Sequence, residues 1–282
     1  MSAVKVAAIQ LALGDDVDAN IGRAGELVAE AAASGAQLAL LPELFASRYF
    51  PAAPDRAQAA FALAEPHDKS RPVQAMRVLA RTHGIVLPVS YFERDGDRCY
   101  NSLVVFDADG SELGRYRKSH IPDGPGYEEK IFFTPGDTGF AAFDTRVGRI
   151  GVGICWDQWF PECARAMTLQ GADLLLYPSA IGTEPTRPEL DTQKPWQRVM
   201  VGHAVANTIP LVASNRVGDE GGQRFYGTSF IADGRGEILS QLGRDEEGVA
   251  MVEIDLAAWR QERDWFGLLR DRRPELYKKL VE

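Results

Sequence analysis

The sequence predicts an α/β fold in which sheet strands are covered by helices, and three observations predict it. Apolar, β-branched stretches alternate with helix-forming stretches in a recurring strand, helix, strand cadence. The strand stretches are almost continuously apolar, as expected of strands covered on both faces. Finally, G-A-Q-L-A-L-L-P at 35–42 is echoed by G-A-D-L-L-L-Y-P at 171–178. Each is a helix stop feeding a buried strand that ends at proline, which hints at two related halves.

Taken in order, VKVAAIQLAL (4–13) is β-branched and bounded by the acidic turn GDD, which predicts a strand. NIGRAGELVAEAAASG (20–35) carries helix formers with Gly35 placed as the stop, and AQLALLPEL then returns to strand. The unit recurs as RPVQAMRVLARTHG followed by IVLPVSYFE (71–93). It recurs again as PECARAMTLQG followed by ADLLLYPSA (161–180), with Pro161 at the first helical position. NSLVVFDADGSELGRYRKSH (101–120) reads differently, as two antiparallel strands around the turn D-A-D-G. GTSFIADGRGEILSQLG (227–243) repeats that hairpin pattern. No linker, charge block or low-complexity tract divides the chain, so one domain over 1–282 is expected. The tail, from about 257 to 282, mixes aromatics with clustered arginines. A segment docked on a partner subunit and a solvated terminal helix are its two readings.

The 282 residues are 45% hydrophobic and 25% charged, enough to bury roughly three quarters of the unfolded surface. A net charge of −9 without a basic stripe argues against nucleic acid and anionic membranes as partners. The three cysteines, Cys99, Cys155 and Cys163, form no C-x-x-C pair, so neither a disulfide framework nor a zinc knuckle is suggested. The first residues lack the marks of a secretory signal, and no run of 18 apolar residues occurs. A soluble, cytoplasmic protein is expected.

The chemistry begins at R-I-G-V-G-I-C-W-D-Q-W-F-P-E (149–162). A free cysteine is usually a small buried hydrophobe. Cys155, however, stands where a strand breaks into a turn, and the carboxyl ends of strands are where α/β folds bind ligands. A nucleophile there could use the backbone N–H of Trp156 to hold an oxyanion. A thiol needs a base or a nearby cation to react. None of the four histidines, His67, His83, His120 and His203, has an evident pairing signature, though His120 sits beside other polar residues. A papain-like arrangement is therefore unsupported, and without a resolving cysteine so is a redox dithiol. Glu43, directly after a buried strand and proline, could be a general base with a raised pKa. Lys118 in G-R-Y-R-K-S-H is a second charged residue, and by position alone either could be a solvated loop or strand residue.

Three segments together resemble the nitrilase superfamily of carbon–nitrogen hydrolases: L-L-P-E-L around Glu43, Y-R-K-x-H-I-P around Lys118, and G-x-x-I-C-W-D-x-x-F-P-E around Cys155. The first strand and the late G-T-S-F-I-A-D extend the resemblance over the whole length. It implies a four-layer αββα sandwich, assembled into dimers or larger homo-oligomers, and a Glu-Lys-Cys triad that needs no cofactor or metal. Carried over, Glu43 takes the thiol proton, Lys118 stabilises the oxyanion and Cys155 is the nucleophile. Glu129, in G-Y-E-E-K-I-F-F, matches a second glutamate of the family, with Glu128 as the alternative. A cation fixed near the thiol would also lower its pKa.

Through H-I-P-D-G-P-G-Y-E-E-K (120–130), C-W-D-Q-W-F-P-E (155–162), Y-P-S-A-I-G-T-E-P (177–185) and R-D-R-R-P-E-L-Y (270–277), the resemblance also implies a substrate class, a small linear amide or ureido compound with a distal amine. Relatives that act on carbamoyl D-amino acids tend to carry arginines just past the nucleophile, whereas this chain has Asp157, Gln158 and Trp159. That disfavours an acidic substrate; the amine-bearing substrate that the resemblance implies calls for a carboxylate and apolar walls. Glu184 is the candidate for the ammonium, and Tyr127, Trp156 and Ser179 for the lining of the path.

Overall fold

Proline, glycine and aspartate set the boundaries of the helices. A computed structural model of the chain describes residues 3–280 and 282. The first part of the chain forms β1 (Val4–Gln10), α1 (Val17–Ala33), β2 (Leu38–Leu40), a short α2 (Ala57–Ala60), α3 (Arg71–His83), β3 (Leu87–Asp95), β4 (Arg98–Phe106) and β5 (Glu112–Arg117). The second part forms β6 (Ala142–Thr145), β7 (Gly148–Val152), α4 (Pro161–Leu169), β8 (Leu174–Ser179), α5 (Gln193–Asn207) and β9 (Leu211–Asn215). After these come β10 (Val217–Asp219), β11 (Arg224–Tyr226), β12 (Phe230–Ala232), β13 (Ile238–Gln241), β14 (Gly248–Ile254) and α6 (Leu256–Phe266). The Asp16 carboxylate accepts the Asp18 and Ala19 N–H groups, which starts α1 three residues before Asn20. Pro161 opens α4, as predicted. The strand after Gly35 ends at Leu40, because Pro42 has no N–H to extend a ladder.

Twelve of the fourteen strands among the described residues build two six-stranded arrays, and β10 and β11 pair with each other in a separate hairpin. In the first the order is β14-β1-β2 followed by β3-β4-β5, joined by the parallel Leu38–Val86 bridge. In the second the order is β13-β12-β9-β8-β7-β6. Alternation along β1 shows the layering. Val6 and Ala8 pack with Val152, Leu174, Leu176 and Val212 between the sheets, while Ala7 and Ile9 pack under α1 and α3 against Leu27, Val28, Val73 and Met76. Residues of α4 and α5, among them Met167, Trp196 and Met200, cover the outer face of the second sheet through Leu175, Tyr177 and Leu211. Helices, sheet, sheet, helices: this is the four-layer αββα sandwich.

The echo between the halves has a structural counterpart. β1-α1-β2-α3-β3 and β7-α4-β8-α5-β9 follow the same plan, with three parallel strands and a helix in each crossover. Each is continued by an antiparallel pair, β4-β5 in one and β12-β13 in the other. The two helix-stop glycines adopt nearly the same left-handed conformation, φ +88° at Gly35 and +89° at Gly171. No helix of the described residues is long and apolar enough to cross a membrane.

Candidate active site

The topology brings the predicted residues to one edge. β5 is antiparallel to β4, which is antiparallel to β3, so β5 runs in the direction of β2 and Lys118 emerges at the same edge as Glu43. The Glu43 N–H bonds the Ser179 carbonyl at 3.4 Å, joining the end of β2 to the end of β8 in the other sheet. Cys155 follows β7, the neighbour of β8. Gly136 admits the chain here, since a Cβ on it would lie 2.0 Å from the Arg117 carbonyl oxygen.

Glu43, Lys118 and Glu129 form a closed ionic cluster with all three side chains fully buried. Lys118 Nζ donates to Glu43 Oε1 at 2.8 Å and to Glu129 Oε1 and Oε2 at 2.8 and 2.7 Å. Asn101 Nδ2 donates to Glu43 Oε1 at 2.6 Å, and Tyr49 OH donates to Glu129 Oε1 at 2.5 Å. Glu43 Oε2 is buried with no partner among the described residues, so it is the oxygen open to a proton. Burial works against the charged form of Lys118, but Glu129 and Glu43 outweigh it and hold the ammonium charged well above the usual lysine range. Burial pushes Glu129 up to about 7, with Lys118 opposing and Glu43 adding to the rise. Of the two neighbouring glutamates it is Glu129, not Glu128, that enters the cluster.

Cys155 is buried and held at φ +41°, a conformation that costs a non-glycine residue about 1–3 kcal/mol. Its Sγ faces the Ala180 carbonyl at 3.9 Å. Gly153 lets the turn form, because a Cβ there would meet the Tyr177 ring at 2.9 Å and Cys163 Sγ at 3.1 Å. Burial raises the thiol pKa well above the usual range, and Glu43 and Glu129 reinforce this. Lys118 pulls it down, as expected, but does not prevail. The resting thiol is neutral, so it could act as a nucleophile only with a base beside it.

Asp157, fully buried, ties this turn together. It accepts from Ile154 N at 2.9 Å, Tyr116 OH at 2.7 Å, His120 N at 3.0 Å and His120 Nδ1 at 2.7 Å. Tyr116 and His120 flank Lys118, so Asp157 links the cysteine turn to the lysine segment. His120 therefore has a partner, contrary to the reading of its sequence context, and that partner is Asp157.

The outer residues divide. Tyr127 OH accepts the Gly182 N–H at 2.9 Å and an N–H of Gln223 at 2.9 Å, and donates to the Thr183 carbonyl at 3.2 Å. It thereby bolts down the loop that carries Glu184. Glu184 is half-buried, has neither an ion pair nor a side-chain hydrogen bond among the described residues, and is pushed up by burial. Trp156 stands at the surface, 37% exposed, edge-on to Trp159 at 6.2 Å. Ser179 is a correction. Its hydroxyl donates to Gln158 Oε1 at 3.1 Å beside Trp196, under the helix layer, and only its backbone carbonyl meets the cluster through the Glu43 N–H.

Four contributors went unread in the sequence: Tyr49, Asn101, Arg216 and the carboxylate of Asp157. Two of them left a signal, Asn101 as a polar residue at the head of the apolar run S-L-V-V-F and Asp157 in the W-D that follows the cysteine.

The sequence profile of the family described as carbon–nitrogen hydrolase matches residues 5–264. The chain belongs to this family. The chain is 50% identical over 286 residues to the N-carbamoylputrescine amidase of Arabidopsis thaliana, covering 99% of this chain and 95% of that one. It is 47% identical over 285 residues to the citrullinase of Francisella tularensis subsp. tularensis, covering 100% and 99%. The crystal structure of a carbon–nitrogen hydrolase from Helicobacter pylori G27 superposes with a TM-score of 0.93 at 37% identity over 99% of both chains. The carbon–nitrogen hydrolase fold is thus shared over the whole site-bearing chain.

Proposed function

We propose that the protein is a cysteine amidohydrolase that cleaves N-carbamoylputrescine to putrescine, ammonia and carbon dioxide. The observation that carries the chemistry is the buried Glu43–Lys118–Glu129 cluster set beside a strained, neutral Cys155. Glu43 Oε2 takes the thiol proton as Sγ attacks the carbamoyl carbon. Lys118 and the Trp156 backbone N–H hold the oxyanion. All three Lys118 donors rest on carboxylates, and protonation of Glu43 weakens one of those bonds, freeing an N–H as the oxyanion forms. Collapse expels one nitrogen, protonated by Glu43. Water, deprotonated by Glu43, then attacks the carbonyl of the thioester-like intermediate; its C–S bond breaks, Sγ recovers the proton from Glu43, and the other nitrogen leaves as a carbamate that loses carbon dioxide.

The substrate is supported by the similarity to the Arabidopsis thaliana amidase and by Glu184, a half-buried carboxylate without a cation. Arg187, the nearest cation in sequence, is taken by Glu189 at 2.5 Å. Turnover of this substrate places the enzyme in polyamine synthesis from arginine through agmatine. The Francisella tularensis relative supports a second reading, since citrulline presents the same ureido group with an added carboxylate. Ammonia release from N-carbamoylputrescine, citrulline, carbamoyl-β-alanine, α-ketoglutaramate and a simple nitrile ranks the readings. The highest kcat/KM is expected for N-carbamoylputrescine, and a higher value for citrulline would replace it. Glu184→Gln should raise KM for N-carbamoylputrescine about 10-fold, the loss of one charge-assisted contact, and should spare a neutral ureido analogue; equal losses on both would remove the ammonium role. Cys155→Ala should release no ammonia.

The same reading makes the enzyme a cytoplasmic homo-oligomer with the tail at a subunit interface. Arg260 and Arg263 bind Asp173 and the Ala172 carbonyl of their own chain, while Trp265 and Phe266 stay exposed, as a face for a second copy would be. Sedimentation of Trp265→Ser should show a smaller species, and an unchanged one would oppose this role.

A further inference from the structure

We infer that the buried Arg216–Glu220 ion pair is a positioning device that sets the catalytic glutamates from the opposite half of the sandwich. Arg216 follows β9, in the second half, and is fully buried. Its Nη2 donates to the backbone carbonyls of Glu43 at 2.6 Å and Leu44 at 3.2 Å, and its Nη1 to the carbonyl of Ser47 at 3.2 Å. One guanidinium thereby grips three carbonyls of the segment that follows β2, including that of the proposed base itself. Its charge is met by Glu220, with Nη1 at 3.0 and 2.8 Å from the two carboxylate oxygens.

Glu220 makes the second half of the clamp. It accepts the Tyr49 N–H at 2.6 Å, and the Tyr49 hydroxyl holds Glu129. The guanidinium also lies 5.5 Å from the Tyr49 ring centroid and 5.2 Å from that of Phe225. The pair therefore reaches Glu43 through its carbonyl and Glu129 through Tyr49, without touching either carboxylate. Burying an ion pair brings little stability of its own, whereas removing one partner strands the other charge. A planar fork matches several carbonyls at fixed angles, which a lysine ammonium does not. The segment it grips includes Leu44 at φ +50°, a conformation that must be held from outside.

This inference rests on Glu43 being the base, and the test separates the two. Arg216→Lys should lower kcat about 10- to 100-fold, as a displacement near 1 Å does, with KM within twofold. Alkylation of Cys155 by iodoacetamide should slow in parallel. Glu220→Gln keeps the size and an acceptor for Tyr49 N–H and should lower kcat less; it carries the test if Arg216→Lys does not fold. Placed in a Glu43→Gln background, Arg216→Lys should cost much less than in the parent, because its grip on the Glu43 and Leu44 carbonyls acts through Glu43. A folded Arg216→Lys or Glu220→Gln enzyme with kcat within twofold of the parent overturns the inference, as does the same fold-loss from Arg216→Lys in the Glu43→Gln background. If Glu43→Gln alone leaves turnover intact, the assignment of the base fails instead.

Discussion

Two residues at the site hold backbone conformations that side chains rarely adopt, Leu44 at φ +50° beside the proposed base and Cys155 at φ +41°, and they are held in opposite ways. The cysteine turn is held locally. Asp157, two residues on, bonds the Ile154 N–H, and the contact spans three residues. The base turn is held from afar, by an arginine 173 residues away from Glu43 in sequence, with the Leu44 N–H taken by Ser90 Oγ at 3.0 Å. The locally held corner carries a neutral thiol, while the remotely held one carries the ionic cluster. A nucleophile can thus be preset by a short motif. A base whose charge must be balanced by residues from several strands needs the finished fold.

Lys118 is the element both corners share, so its loss should have the largest effect. Lys118→Met removes the cation from two buried carboxylates and should lower kcat/KM about 1,000-fold or more, beyond the loss of a single oxyanion donor. It should also cost about 3–5 kcal/mol of stability, the effect of breaking a buried pair. Without the ammonium the carboxylates favour their protonated forms, so urea unfolding at pH 6 should recover part of the loss seen at pH 8. An equal loss at both would mean that the carboxylates are balanced by something other than Lys118.

Asp157→Asn tests the cysteine corner alone. The new amide would point donors at the Ile154 N–H, the Tyr116 hydroxyl or the His120 N–H, each of which is itself a donor. An unmet buried donor costs about 1–3 kcal/mol, and the turn should relax enough to lower kcat about 100-fold. Iodoacetamide should still reach the thiol. If kcat survives, the φ of Cys155 is fixed by Gly153 and the packing of β8, and the comparison between the corners fails.

The two corners also differ in how much of them could be read in the sequence. C-W-D-x-x-x-P-E shows both the proposed nucleophile and, two residues on, its brace, because a local device leaves a local pattern. L-L-P-E-L shows the base but not what holds it, since Arg216 sits in the unremarkable V-A-S-N-R-V and contributes only after β9 lies beside β8. The helix-covered strands were legible for the same reason as the cysteine corner, while their stacking into four layers came only with the family resemblance. Apolar continuity and helix stops such as Gly35 and Gly171 are short-range signals. Ser179 was misread because a strand end supplies two faces. Its parity follows Leu175 and Tyr177 toward the helices, so only its carbonyl reaches the site.

The base corner titrates, and that gives a finer test. Glu129, raised from 4.5 to about 7, keeps a proton between those values that the unfolded chain has released. Its contribution to stability is therefore full below pH 4.5 and lost as pH rises through 7. On the kinetic side, kcat/KM should fall as pH drops through about 7, when the cluster takes up a proton and its capacity as a base is lost. Glu129→Gln should flatten the stability slope and shift the acid limb of kcat/KM to lower pH, since one negative charge has left the cluster. With Arg216→Lys the limb should move as well if the clamp sets the cluster, whereas Asp157→Asn should lower the plateau and leave the limb in place.

His120→Ala should have the smallest effect. It removes the Nδ1 bond to Asp157 and a ring stacked on Phe160 at 3.6 Å between centroids and 5° between planes, but it keeps the backbone N–H that also bonds Asp157. Asp157 then retains Ile154 N–H, Tyr116 OH and the residue-120 N–H, so the turn should hold. Stability should fall by about 1–2 kcal/mol for one hydrogen bond and part of one aromatic contact, and kcat by about 3- to 10-fold, a loss of similar free energy. Steady-state kinetics and a urea titration on the same preparation measure both. If His120→Ala instead matches the kcat loss of Asp157→Asn, the ring and not the short loop holds the cysteine. The nucleophile corner would then depend on a residue from the Lys118 segment as heavily as the base corner depends on Arg216.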